Sequence, residues 1–253
     1  MILSCTSQAQ LQGRSHEIGF FGGASNYHGD LADEIVFSET HAAGGIFYRY
    51  NINQFWAYRP MISYMRISGS DQNFEENVIR NLSFQSDIIE LSNTLELNYQ
   101  PFSNSPFHQN ATFYAFVGFS MYYHNPKALM NDEWFELSSM NNEGQTLGND
   151  YHLFQFSIPF GGGFKYNITP NLITSVELGW RRTFTDYLDD VSTVYPENPA
   201  SPDFSDRSGE VIDGQDYIAE VGDMRGDPNN KDWYVLTGIS LSYRFTPIKC
   251  WSR

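Results

Sequence analysis

Long apolar runs are missing from this chain of 253 residues. No segment approaches the roughly eighteen consecutive apolar residues of a membrane-spanning helix, so any passage through a membrane must be made by strands. Basic residues are scarce as well. The 15 Lys and Arg face 30 Asp and Glu, a formal net charge of −15, which argues against nucleic acid, whose phosphates call for a basic surface. Cysteine is almost absent: Cys5 and Cys250 show no CxxC spacing, and neither a disulfide framework nor a zinc site is indicated. The six histidines are scattered without metal-ligand spacing, and Gly161-Gly162-Gly163 lacks the lysine and following helix of a phosphate loop.

What the chain has instead is aromatic residues, 16% of the total at a mean hydropathy of −0.43, arranged with a period of two. In the last predicted strand, residues 232–245, Trp233, Val235, Ile239, Leu241, Tyr243 and Phe245 share one parity, and Gly238, Ser240, Ser242 and Arg244 the other. A strand sends these sets to opposite faces. About thirteen residues with aromatics at both ends of the apolar face suit a tilted passage through an outer membrane, whereas a soluble strand averages about half that length. The same alternation predicts strands at 17–27, 42–50, 55–67, 82–99, 111–123, 153–166 and 172–184, with 153–166 the strongest lipid-facing pattern. Pro60 removes a ladder donor and makes 55–67 the weakest of the set. Connections after the second, fourth and sixth strands are short and the others long, the asymmetry of periplasmic turns against extracellular loops. The expected fold is therefore all-β: an eight-stranded antiparallel up-and-down transmembrane β-barrel, with a soluble lipocalin-like barrel as its competitor.

These phases point Glu17, Arg49, Arg59, Glu90, Glu96, Lys165, Glu177, Arg181 and Arg244 inward. An eight-stranded barrel has little more room than its own side chains fill, so the charges should pair and plug the lumen. Acidic residues crowd the loop 185–231, which reads as a solvated segment. It lacks the D-x-[DN]-x-[DN]-G spacing of a calcium loop, and Asp186, Asp189 and Asp190 would be the carboxylates of any divalent site. No cofactor and no small-molecule substrate are indicated. Ser25, His28 and Asp30 could be cast as a rim hydrolase, but nearness in sequence does not bring a nucleophile and its base together, and no enzyme is expected.

The strings Gly22-Gly23-Ala24-Ser25-Asn26-Tyr27-His28-Gly29-Asp30-Leu31, Ala43-Gly44-Gly45-Ile46-Phe47-Tyr48-Arg49-Tyr50-Asn51, Asp186-Tyr187-Leu188-Asp189-Asp190-Val191-Ser192 and residues 225–245, beginning Arg225-Gly226, resemble the PorG family, outer-membrane barrels of the type IX secretion system of Bacteroidetes. The resemblance implies a barrel that docks to a periplasmic ring built from the lipoprotein PorK and its partner PorN. On that expectation residues 1–10 are a residual signal peptide, 11–245 the barrel embedded in outer-membrane lipid, and 246–253 a periplasmic tail. The working surface is then the periplasmic rim, represented by Asn51, Asn53, Asn104, Asn171, Lys249 and Cys250. The alternative is a stand-alone surface barrel of the OmpA or OmpW kind that works through its extracellular loops.

Overall fold

The computed structural model describes residues 14–103, 110–140, 142–143, 152–197, 201–211, 219–227 and 231–245. Its strands are β1 Ser15–His28, β2 His41–Asn51, β3 Trp56–Ser70, β4 Ser83–Asn98, β5 Ala111–Met130, β6 Glu133–Glu136, β7 Phe154–Asn167, β8 Leu172–Thr183 and β9 Trp233–Phe245. Each pairs antiparallel with its neighbour around the ring. β5 passes directly to β7, β9 returns to β1, and the short β6 hangs from the upper part of β5. Eight strands thus form a closed antiparallel barrel, which leaves no exposed ladder around its waist.

Alternation decides which side chains face which way. Ile18, Phe20, Ile46, Ile62, Phe113 and Ile239 are exposed on the outer wall, while Glu17, Arg49, Ser63, Thr112 and Ser240 between them are buried. This is the reverse of a soluble barrel, and it is stable only where the outside solvent is hydrocarbon. The apolar band has edges. At the end holding both strand termini, His16 stacks on Phe245 with ring centres 5.6 Å apart; at the other end Arg66 on β3 meets Asp87 on β4 at 2.8 Å. Along β1 the stretch from His16 to Asn26 covers about 33 Å of strand, or roughly 25 Å of membrane at a tilt of about 40°. The protein is a multi-pass outer-membrane β-barrel.

Pro60 does not interrupt β3. Its ring faces outward, and the ladder to β2 simply skips from Phe47↔Met61 to Tyr50↔Tyr58 where the proline has no N–H to give. Inward glycines serve a different purpose. Gly161 and Gly179 are paired across β7 and β8, and a Cβ on either would come within 3 Å of the Phe116 ring, so both positions yield their space to that side chain.

Two expectations about the extracellular side need correction. β5 continues well past residue 123 to Met130 and folds back on β6, with Met130 opposite Glu133. Asn131 and Asp132 between them have φ of 52° and 64°, the left-handed pair that a tight two-residue hairpin requires. The acidic loop between β8 and β9 is solvated only in part: among its described carboxylates Glu197, Asp203, Glu210, Glu220, Asp223 and Asp227 are exposed, but Asp186, Asp189, Asp190 and Asp206 are buried. Leu188, Val191 and Phe204 pack with Leu31, Ile67, Phe84 and Tyr27 in one cluster that continues the barrel interior upward. Burial of these apolar side chains carries four carboxylates inward with them, and each finds a partner there: Asp186 with Ser192, Asp189 with Tyr27, Asp190 with Asn142 and Asp206 with Ser208.

Candidate functional site

The lumen holds a layered charge network. Nearest the strand termini, Glu17 on β1 receives Arg49 from β2 at 2.7 Å and Arg244 from β9 at 3.0 Å, and Asn51 donates to its other side at 2.9 Å. Glu96 on β4 sits at the centre, with Arg49 Nε and Arg59 Nε each at 2.9 Å and Lys165 Nζ at 2.5 Å. Arg59 also reaches across the lumen from β3 to β8, where both of its terminal nitrogens grip Glu177 at 2.5 and 3.0 Å. Tyr114 donates to the same carboxylate at 2.7 Å. Higher up, Glu90 accepts from Tyr234 at 2.6 Å and lies 3.7 Å from Arg181.

All nine charged side chains are at most 2% exposed. Charges so far from water persist only when paired and hydrogen-bonded, and here the pairing joins opposite walls. The cations also lie against rings, Lys165 at 4.1 Å from the centre of Tyr114 and Arg49 at 4.9 Å from that of Phe47, which adds an electrostatic contact where no carboxylate reaches. The result is a cross-braced interior rather than a lined passage.

Described residues stand over both ends of the lumen. On the terminal side Phe102 folds under the barrel, anchored by its N–H to the Gln54 carbonyl at 3.0 Å, and the Arg244 guanidinium lies 5.2 Å from its ring centre. On the extracellular side the loops build a cap with its own polar core. Arg80 forks onto Asp71 and also donates to the carbonyls of Arg225 and Asp30. Arg225 binds Glu143 at 2.9 Å, and Glu143 accepts in turn from the backbone and hydroxyl of Thr193.

The cap contains a shared-proton site. The single hydroxyl of Tyr27 stands 2.6 Å from Asp189 Oδ2 and 2.8 Å from Asp232 Oδ1. One hydroxyl proton cannot serve two carboxylates, so both contacts are hydrogen bonds only if one carboxyl carries a proton of its own. Burial raises both carboxyls well above their ordinary range; Asp30 nearby adds to the rise at Asp189, and the charge of Asp189 to that at Asp232. Asp30 is itself pushed up to about 6, by burial first and then by Asp186 and Asp227.

The remaining sequence candidates are scattered. Asn51 is not on the rim: it points into the lumen and bonds Ser15 and Glu17, because it shares the inward parity of Arg49. Asn53 is exposed and caps its own turn, accepting from the N–H groups of Phe55 and Trp56. Asn171 is exposed and ties the β7–β8 turn to β9 through the Arg244 backbone. Asn104, Lys249 and Cys250 lie outside the described residues, as do residues 1–10 and 246–253. Ser25 is buried inside and donates to the Arg66 carbonyl at 2.5 Å, whereas His28 has the outward parity, so the two do not converge. Asp186, Asp189 and Asp190 point to different partners, Ser192, Tyr27 and Asn142. Among the described residues no three His, Cys, Asp or Glu are grouped to hold a metal ion. Sequence reasoning missed Tyr114 and Tyr234, although their inward parity was legible, and it missed Phe102, Arg80, Glu143 and Arg225, whose roles carry no local signal.

A family model described as Domain of unknown function (DUF6089) matches residues 1–253. A search of curated proteins found no match. Among solved structures the chain is similar to the attachment invasion locus protein Ail of Yersinia pestis, at 12% identity and a TM-score of 0.44, over 92% of this chain and 99% of that one. It is similar to the outer membrane protein OprG of Pseudomonas aeruginosa at 8% identity and a TM-score of 0.45, over 94% and 100%. Neisserial surface protein A is a third, at 9% identity and 0.44, over 91% and 97%. The barrel assignment rests on this chain's own strand pairing.

Proposed function

The chain belongs to the DUF6089 family, and from that premise we propose that it is a non-conducting, non-enzymatic outer-membrane anchor. In this role it holds or positions the periplasmic PorK/PorN ring of a type IX secretion machine. The observation that supports the first half, the non-conducting reading, is the braced lumen: Arg59 is joined to Glu177 across the bore and Glu96 is clamped by three cations, an arrangement that favours a surface over the bore as the working part. The second half is supported by the resemblance of the four strings above to the PorG family.

The experiment is to isolate the intact barrel from its native outer membrane in mild detergent and identify what co-purifies, alongside a chain lacking residues 247–253. Recovery of periplasmic ring proteins with the intact chain is expected, with tail dependence locating the docking face. A barrel that comes out alone, in cells that secrete normally without it, refutes the anchor. A second reading, a stand-alone surface barrel of the OmpA or OmpW kind, is favoured by the folded cap: a buried Arg225–Glu143 pair holds a defined extracellular surface of the sort that recognises a partner.

A further inference from the structure

Among the described residues of the outer wall, one basic side chain is left without a carboxylate. Among the described residues every Lys and Arg except Arg14 and Arg182 lies within ion-pair distance of an Asp or Glu. Arg14 precedes β1 at the terminal end. Arg182 is exposed on the outer face of β8 at the extracellular edge of the apolar band. Strand pairing sets Trp233 beside Arg182 and His28 beside Trp233, and residues paired across strands share a face, so the three stand in one row. The Arg182 guanidinium is 5.5 Å from the centre of the Trp233 ring. That indole meets Phe160 edge-on at 5.9 Å, and Phe160 stacks on Trp180 at 6.1 Å. Below the row the wall is apolar, with Val176 and Leu178 exposed.

The other outward cations at this level are already neutralised, Arg66 by Asp87 and Lys127 by Glu136. An unpaired guanidinium at the edge of hydrocarbon recruits an anion, and its planar fork fits phosphate. The chain as a whole is strongly acidic, so the site is a local exception to a surface that repels anions. The anion present at this depth is the headgroup of a lipid, the level at which interfacial aromatics also settle. We propose that Arg182, Trp233 and His28 form a docking site for the phosphate headgroup of an outer-leaflet lipid, whose acyl chain lies along Trp180, Leu178 and Val176.

Native mass spectrometry of the full chain in neutral maltoside micelles tests this, with dioleoyl phosphatidate as probe and dioleoylglycerol as the same lipid without phosphate. Retention of phosphatidate about tenfold above dioleoylglycerol is expected, equivalent to one charge-assisted hydrogen bond. Arg182→Gln should remove the preference and Lys127→Gln should keep it. Equal retention of the two lipids, or a preference that survives Arg182→Gln, overturns the site. Displacement of phosphatidate by an equimolar amount of inorganic phosphate also overturns it, since the acyl chain would then contribute nothing and the site would be one for a free anion. Should Arg182→Gln fail to fold, Arg182→Lys keeps the charge and loses the fork; a severalfold loss of preference supports the site, and an unchanged preference refutes it.

Discussion

Replacing Glu96 by glutamine keeps the shape of the side chain and removes the charge at the hub of the lumen. Three cations then lose a partner, but unequally. Arg49 retains Glu17 at 2.7 Å and Arg59 retains Glu177 at 2.5 Å, whereas Lys165 is left with the side-chain Oδ1 of Asn98 at 3.0 Å and the face of Tyr114. Orphaning one member of a buried pair costs about 3–5 kcal/mol. With two of the three cations still paired, the expected loss for Glu96→Gln is about 3 kcal/mol, a large fraction of the roughly 5–15 kcal/mol by which folded domains are held. Reversible urea unfolding of the barrel in detergent, followed by tryptophan fluorescence, reads this loss as a lower midpoint at unchanged slope. The double variant Glu96→Gln/Lys165→Met then removes the orphaned cation, and it should recover at least about 1 kcal/mol relative to the single variant, a coupling of the size expected for residues in contact. A loss below about 1 kcal/mol for Glu96→Gln, with no recovery in the double variant, would mean that water solvates these charges and that the lumen is wet rather than braced.

Reconstituted into planar bilayers, the protein should show no steady ion conductance, because ion pairs brace the bore from wall to wall; stable open channels would contradict that account. Asp189 and Asp232 hold their folded carboxyls above the unfolded value, so folding retains a proton that the unfolded chain has released. The cap should therefore lose stability as pH rises from about 4 toward the raised values, by at most about 1.4 kcal/mol per pH unit for each retained proton. Hydrogen exchange of the cap amides across that range measures the decline. Asp189→Asn, which cannot ionise, should flatten it, and an undiminished slope in that variant would place the titration elsewhere.

Much of the barrel is legible from alternation alone. The inward parity of Glu17, Arg49, Arg59, Glu90, Glu96, Lys165, Glu177, Arg181 and Arg244 follows from the two-residue repeat of a strand, and so does the outward parity of the aromatic band. That information is local, because one misplaced residue would turn a whole strand inside out. The extension of β5 into a hairpin escaped detection because Asn131-Asp132 lacks the glycine that usually marks a left-handed turn. Asn51 was misassigned to the rim by its place at a strand end, although its parity already turned it inward.

Pairing is another matter. Arg59 and Glu177 stand on β3 and β8, far apart in sequence, and they meet only because barrel closure and stagger set their heights across the bore. The same holds for Tyr27, Asp189 and Asp232, drawn together when the β8–β9 loop folds over the mouth and buries Leu188 beside them. Composition marks that loop as acidic, but whether a carboxylate is solvated or buried depends on what covers it. Which face each side chain takes is written into the alternation of residues, since that is a property of one strand. Which charges share a partner, and which are left facing the membrane as Arg182 is, emerges only once the barrel closes, because those contacts are properties of strands brought together.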